Sequence, residues 1–363
     1  MTEGAPTAAV PRSGDQLGRL TLRADATARS GTGHVMRCLA IAEAWQSAGG
    51  TATFVAAEIG DGLATLVRDR GFEVERIAAP PGSPADADLS AGHAASAAGW
   101  LALDGYHFDA AYKRRVGRAV PLLLIDDFAA DGYEAARLVL NQTLHATPEA
   151  YPDAPPESLL LGPTYTVLRK EFRSFLDHVP PGSGPVVRLL VTLGGSDPDN
   201  AAGAVLCALL QLARITTLPA VTLIIGAMSP HADLVRSKAA ELTASTGGLT
   251  VTVKTAVADM AAEIAAADLA VTAGGLTLQE LAFLGVPAVV IRTAENQAKG
   301  VAAAERSGFV VDLGRFPGLT VDDLAAGLHE LIADPDRRKA MSEAGRRVVD
   351  GHGAGRLVAA LRP

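Results

Sequence analysis

His34 and Arg37 stand three residues apart, directly after the pair Gly31-Thr32-Gly33 and at the start of an apolar run of helical period. In the first turn of a helix such a pair projects from one face. The positive end of a helix favours a neutral imidazole, which can take a proton from an attacking water or hydroxyl. Asp25, in the preceding loop, is the acid available to orient that imidazole beside a bound anion or a polarised sugar. The same spacing also suits a plainer arrangement, with His34 capping the helix and Arg37 paired with a surface acid.

Three further loops have the composition of ligand-binding turns. Leu193-Gly194-Gly195-Ser196-Asp197-Pro198 leaves a strongly apolar strand and enters a helix that Asp197 can cap, with Pro198 at its first position. Its glycines leave backbone amides open to a ligand or simply make a turn. Thr272-Ala273-Gly274-Gly275-Leu276-Thr277 ends another buried strand and presents amides and a hydroxyl at a helix N-terminus, where phosphate oxygens bind well. Glu280, three residues after Thr277, either closes a capping box or accepts hydrogen bonds from the two hydroxyls of a ribose. Asn296 and Gln297 head the next helix and either bind a neutral polyol or cap.

Several familiar chemistries fit poorly. Gly31 and Gly33, with Glu58 ending the next strand, imitate a dinucleotide fingerprint, but Met36 occupies the place of the third glycine and the loop is too long. No Gly-Lys-Ser/Thr occurs, which disfavours a P-loop. Asp86-Ala87-Asp88 has the form used by metal-dependent glycosyltransferases, yet it lies in an Ala/Pro/Gly-rich insert over 79–98 and reads as a solvated loop. The remaining histidines show no metal spacing. Neither a metal nor a cofactor is expected.

The elements that must hold these residues follow from length and rhythm. The chain has 363 residues, which suits two domains, and a net charge of −8 without a basic, aromatic-laced run, which argues against nucleic acid as a partner. No apolar stretch is long enough to span a membrane, the N-terminus lacks the pattern of a signal peptide, and the two cysteines, Cys38 and Cys207, read as buried free thiols. A cytoplasmic location is expected. Residues 1–18 read as a disordered tail. From 19 to 178 short apolar runs alternate with helical segments; 179–186, rich in Pro and Gly, reads as a linker; the alternation restarts over 187–363. The expected fold class is α/β: two doubly wound, Rossmann-like domains facing a cleft, with the chemistry in the loops after the strands.

One ordered set of motifs carries a family resemblance. Arg23-x-Asp25, Gly31-Thr32-Gly33-His34-Val35-Met36-Arg37-Cys38-Leu39, Ile125-Asp126-Asp127, Leu161-Gly162-Pro163-x-Tyr165-x-x-Leu168-Arg169-x-Glu171-Phe172, Gly194-Gly195-Ser196-Asp197-Pro198, Gly274-Gly275-x-Thr277-x-x-Glu280 and Asn296-Gln297 together resemble the nucleotide-sugar hydrolases of the pseudaminic acid pathway. That family is similar to a spore-coat polysaccharide group and to GT-B glycosyltransferases. The resemblance implies a GT-B-like fold and metal-free hydrolysis of a UDP-linked 2,4-diacetamido-2,4,6-trideoxy hexose to UDP and free sugar. It implies His34 as the base, Glu280 on the ribose and the Gly274 to Thr277 turn on the diphosphate. Arg169 would touch the nucleotide or line the cleft, and Asp104 and Tyr106 would lie on the sugar side. The insert over 79–98 and the N-terminal tail depart from compact members of the family. Two other readings stand beside hydrolysis: transfer of the sugar to a small acceptor, and a non-catalytic nucleotide-sugar-binding partner of another enzyme. The substrate expected is a nucleotide sugar in all three, and the oligomeric state is left open. In so acidic a chain, amide dipoles and a few arginines are expected to supply the field for a diphosphate.

Overall fold

The computed structural model of the chain describes residues 17–27, 31–96, 99–178, 180, 184–226, 229–255 and 257–362. The tail expected over 1–18 therefore lies outside the described residues up to 16, while Leu17 is buried in the core.

The first half alternates as the sequence predicts: β1 (Arg19–Ala24), α1 (Gly33–Ser47), β2 (Thr51–Ala56), α2 (Asp61–Asp69), β3 (Glu73–Arg76), α3 (Pro84–Ser96), β4 (Trp100–Asp104), α4 (Ala110–Ala119) and β5 (Leu122–Ile125), then β6 (Leu138–Asn141) and β7 (Leu159–Leu161). All seven strands are parallel, in the order β3-β2-β1-β4-β5-β6-β7. Helices on both faces make the central strands apolar throughout; every residue of β5 and β6 is buried. The segment expected as a solvated insert instead contains α3, whose Ala87 and Ala94 are small enough to pack it closely against the sheet.

The second half has β8 (Arg188–Thr192), α5 (Ala201–Leu212), β9 (Ala220–Ile225), α6 (Ala232–Ser245), β10 (Val251–Thr255), α7 (Met260–Ala265), β11 (Leu269–Thr272), α8 (Thr277–Leu284), β12 (Ala288–Arg292), α9 (Ala298–Arg306) and β13 (Val310–Arg315), closed by α10 (Val321–Ala333), α11 (Pro335–Val348) and α12 (Gly353–Ala360). Its six-stranded sheet, also parallel, runs β10-β9-β8-β11-β12-β13. Both sheets thus reverse direction beside their first strand, between β1 and β4 and between β8 and β11. At such switch points the loops after the two neighbouring strands diverge and leave a crevice.

The packing divides the chain differently from the expected boundaries. Val167 belongs to the core of the first sheet, whereas Leu168 and Phe172 are buried with α7, α8 and β12 of the second half, about ten residues before the expected linker. At the other end α12, which the sequence grouped with the second domain, buries Leu357, Val358 and Leu361 in the first core against α1. The two passages meet: a Cβ on Gly353 would collide with the backbone of Thr166, so only glycine lets them lie this close. Of the two free thiols, Cys38 is buried as expected but Cys207 is only half-buried.

Candidate active site

The first switch point places one strand end beside one helix start. Asp104 ends β4, which pairs with β1, and its carboxylate reaches the first turn of α1. There His34 Nδ1 lies 2.7 Å from Asp104 Oδ1, and Arg37 donates from Nε and Nη2 to the same carboxylate, each at 2.8 Å. Arg37 also donates from Nη1 to Asp127 Oδ1 at 2.7 Å, and the Tyr106 hydroxyl donates to Asp127 Oδ2 at 2.9 Å. The Tyr106 ring packs edge-on against the imidazole, with centroids 4.5 Å apart.

Burial pushes the Asp104 carboxyl up, but the Arg37 guanidinium and the hydrogen bonds from Arg37 and His34 outweigh it and hold it at about 2. An ionised Asp104 accepts a hydrogen bond, which fixes the proton of a neutral His34 on Nδ1 and leaves a lone pair on Nε2. Burial and the nearby Asp127 carboxylate raise the Tyr106 phenol, which stays a donor.

Asp25 is not the partner of His34. Its Oδ1 accepts from the amides of Ala57 and Glu58, both at 2.8 Å, and its Oδ2 lies 2.8 Å from Arg23 and 3.0 Å from His107. Burial raises its carboxyl, but His107 and Arg23 reverse this and leave it well below the usual range. Asp86 is likewise no solvated loop residue: it is fully buried and its carboxylate is taken up by Arg23, Ser90, Tyr112 and the amide of Gly82.

A cavity of about 310 Å³ opens between the halves. Gly33, His34, Arg37 and Tyr106 form one wall, and Gly274, Gly275, Asn296 and Gln297 form the opposite one. Gly274 cannot carry a side chain, because a Cβ there would stand 2.5 Å from Val301 Cγ2 and 2.8 Å from Gln297 Cβ. Gln297 holds the turn: its Oε1 accepts from the amides of Thr293 at 2.8 Å and Gly274 at 3.3 Å. The cavity also takes in Asp127, Phe128, Thr143, His145 and Gln279, which the motif reading assigned no role.

The remaining expected site residues stand outside that lining. Gly31 has φ +71° and donates its amide to the Thr27 carbonyl. Gly194, Gly195 and Ser196 follow β8; a Cβ on Gly195 would point toward Thr32 of the first half at 4.0 Å, and Asp197 caps α5 through the amides of Ala201 and Ala202. Thr277 opens α8 without a side-chain cap, so Thr277 and Glu280 form no capping box. Glu280 pairs with Arg169 instead, its Oε1 accepting from Nε at 2.9 Å and lying 2.7 Å from Nη2. Burial lifts the Glu280 carboxyl despite that partner. Arg169 also approaches Glu171 at 3.2 Å, so each arginine singled out near the site is already neutralised by carboxylates. The positive field expected from arginines is absent at these positions.

Residues 189–352 match the family model described as the glycosyltransferase family 28 C-terminal domain. The chain is 28% identical over 212 residues to the spore coat polysaccharide biosynthesis protein SpsG of Bacillus subtilis, covering 57% of each protein. It is 34% identical over 182 residues to the UDP-N-acetylglucosamine--N-acetylmuramyl-(pentapeptide) pyrophosphoryl-undecaprenol N-acetylglucosamine transferase of Acidithiobacillus ferrooxidans, covering 49% of this chain and 48% of that protein. These matches span about half the length of the curated relatives. Among solved structures, Acinetobacter baumannii MurG superposes with a TM-score of 0.64 at 17% identity, covering 95% of this chain and 99% of that one. The UDP-GlcNAc 2-epimerase of Neisseria meningitidis bound to UDP-GlcNAc gives 0.64 at 12% identity, covering 94% and 99%. Among the described residues no helix is long and apolar enough to cross a membrane. With two parallel sheets that each reverse at a switch point and face one cavity, the chain has the GT-B fold, and its second half is similar to the C-terminal domain of family 28 glycosyltransferases.

Proposed function

We propose that the chain is a nucleotide-sugar glycosyltransferase that moves a sugar from UDP to a small acceptor. The observation that carries this reading is the His34–Asp104 pair facing the Gly274-Gly275 turn across one cavity. The diphosphate rests on the amides at the start of α8, where the developing negative charge of the leaving group is stabilised. The anomeric carbon then lies toward His34. Nε2 takes the proton of the attacking hydroxyl as the new glycosidic bond forms and the bond to the diphosphate breaks, and Asp104 stabilises the resulting imidazolium. Similarity to a UDP-N-acetylglucosamine transferase and to the family 28 domain supports transfer over hydrolysis.

Hydrolysis of a UDP-linked diacetamido-trideoxy hexose uses the same base with water as acceptor, and the ordered motif set from Arg23 to Gln297 supports it as the second reading. Incubation with UDP-N-acetylglucosamine alone, followed by product analysis, separates them. A transferase binds the donor and releases no free sugar until an acceptor is added; steady release without one establishes the hydrolase. Binding without turnover for any acceptor would leave a non-catalytic partner.

Glu280 supplies a second test. With Arg169 as the main partner of its carboxylate, Glu280→Gln weakens UDP and 2′-deoxy-UDP by the same factor, within about twofold by calorimetry. A loss confined to UDP would restore the ribose contact that the motifs imply.

A further inference from the structure

A second cavity, of about 450 Å³, adjoins the first and shares Asp127, Phe128 and His145 with it. We propose that this cavity is the acceptor subsite and that it binds a carboxylate or phosphate group of the acceptor through Lys299 and Arg306. The assignment rests on the transferase reading above and adds to it the chemical class of the second substrate.

Around the reaction cavity Arg37 is spent on Asp104 and Asp127, and Arg169 on Glu280 and Glu171. Lys299 and Arg306 differ: among the described residues neither side chain has a hydrogen bond or an ion pair. They occupy positions i and i+7 of α9, with Ala302 at i+3, so one face of the helix turns two cations about 10 Å apart toward the cavity. The small Ala302 side chain leaves room between them. Asp127 is the acid in the wall, and Arg37 and the Tyr106 hydroxyl already occupy it. The lining is therefore net positive in a chain of net charge −8.

A second observation lies at the junction of the two cavities. His145 Nδ1 is buried and has no hydrogen-bond partner, although buried polar atoms are nearly always satisfied. Its ring borders both spaces and forms part of the partition between them, with Nδ1 itself closed off from solvent. An acceptor seated this way has its anionic end on α9 and its nucleophilic hydroxyl toward His34. The wall on one side comes from the loop after β5, the end of β6 and the loop after it, and on the other from α9, so the subsite exists only where the two halves meet.

Inorganic phosphate is the probe. Titrated by calorimetry at constant ionic strength into protein saturated with UDP, it binds with a millimolar Kd. Lys299→Gln with Arg306→Gln weakens that binding at least tenfold and leaves UDP affinity within about twofold. Both side chains are exposed, so the variant keeps its fold, which an unchanged Tm verifies. The inference is overturned if UDP abolishes phosphate binding, which would assign the cations to the nucleotide's own diphosphate. It is equally overturned if the wild type binds no phosphate or the variant binds it as well. Should UDP itself fail to bind, the transferase reading falls, while phosphate titration of the free protein still judges the subsite.

Discussion

Replacing His34 by alanine lowers turnover by about 10² to 10⁴, while UDP binds the variant within about threefold of the parent. The separation of the two effects follows from the geometry. His34 stands on the first-half wall of the cavity, whereas the amides proposed to hold the diphosphate belong to the Gly274-Gly275 turn on the other wall. Alanine removes the lone pair on Nε2 but keeps the doubly hydrogen-bonded Arg37–Asp104 pair that supports the site. Single-turnover rates and calorimetry on one protein sample check both halves of the expectation. Turnover retained within tenfold would remove His34 from the mechanism; a collapse of UDP affinity would place the nucleotide on the wrong wall.

The largest effect on stability falls at Asp86, away from the reaction cavity. Arg23 and Asp86 are both fully buried and joined by two hydrogen bonds, from Nε at 2.9 Å and from Nη2 at 2.7 Å. The same carboxylate accepts from the Gly82 amide at 2.8 Å, from Ser90 at 3.0 Å and from Tyr112 at 2.9 Å, tying β1, α3 and α4 together. Asp86→Ala leaves a buried guanidinium with Asp25 as its one acidic partner among the described residues and the Phe108 ring beside it. Breaking such a pair on one side costs about 3–5 kcal/mol, which lowers Tm by roughly 10 °C in a domain of this size. Arg23→Met with Asp86→Leu recovers most of the loss, because an apolar pair needs no desolvation of charge. A Tm within about 2 °C of the parent for Asp86→Ala would sink the argument. The acid limb adds a check. Burial raises the Asp86 carboxyl, but Arg23 lowers it further, so its contribution is complete above the ordinary carboxylate range and fades as pH falls below it. Asp86→Ala accordingly loses less stability between neutral and acid pH than the parent does.

Much of the fold is legible because parallel strands covered on both faces must be continuous apolar runs, and helices of ordinary length separate them. The failures have local causes. β7 is three residues long, set among prolines, and too short for any period. α3 is built from Ala, Gly, Ser and Asp, whose composition suits a loop; its helix depends on a buried ion pair made with a strand sixty residues away. At the site, His34 and Arg37 are recognisable from their place after a glycine turn. The acid that orients His34 is not, because Asp25 is nearer in sequence and Asp104 is nearer only once β4 lies beside β1. Lys299 and Arg306 carry no motif at all. On a helical wheel they look like any solvated face, and the cavity that gives them meaning is formed by the other half of the chain.

The contact of Gly353 with Thr166 makes the join between the halves a two-ply strap, since the chain crosses once beside residue 167 and crosses back just before α12. Because the two plies lie side by side, they act as one pivot, and they resist twisting in a way a single tether would not. A hinge at that point would change the gap between His34 and Gly274, the two walls of the cavity. The strap also bears load twice over: a cut in the Pro/Gly-rich stretch leaves α12 still anchored in the first core, so the severed chain stays a single particle.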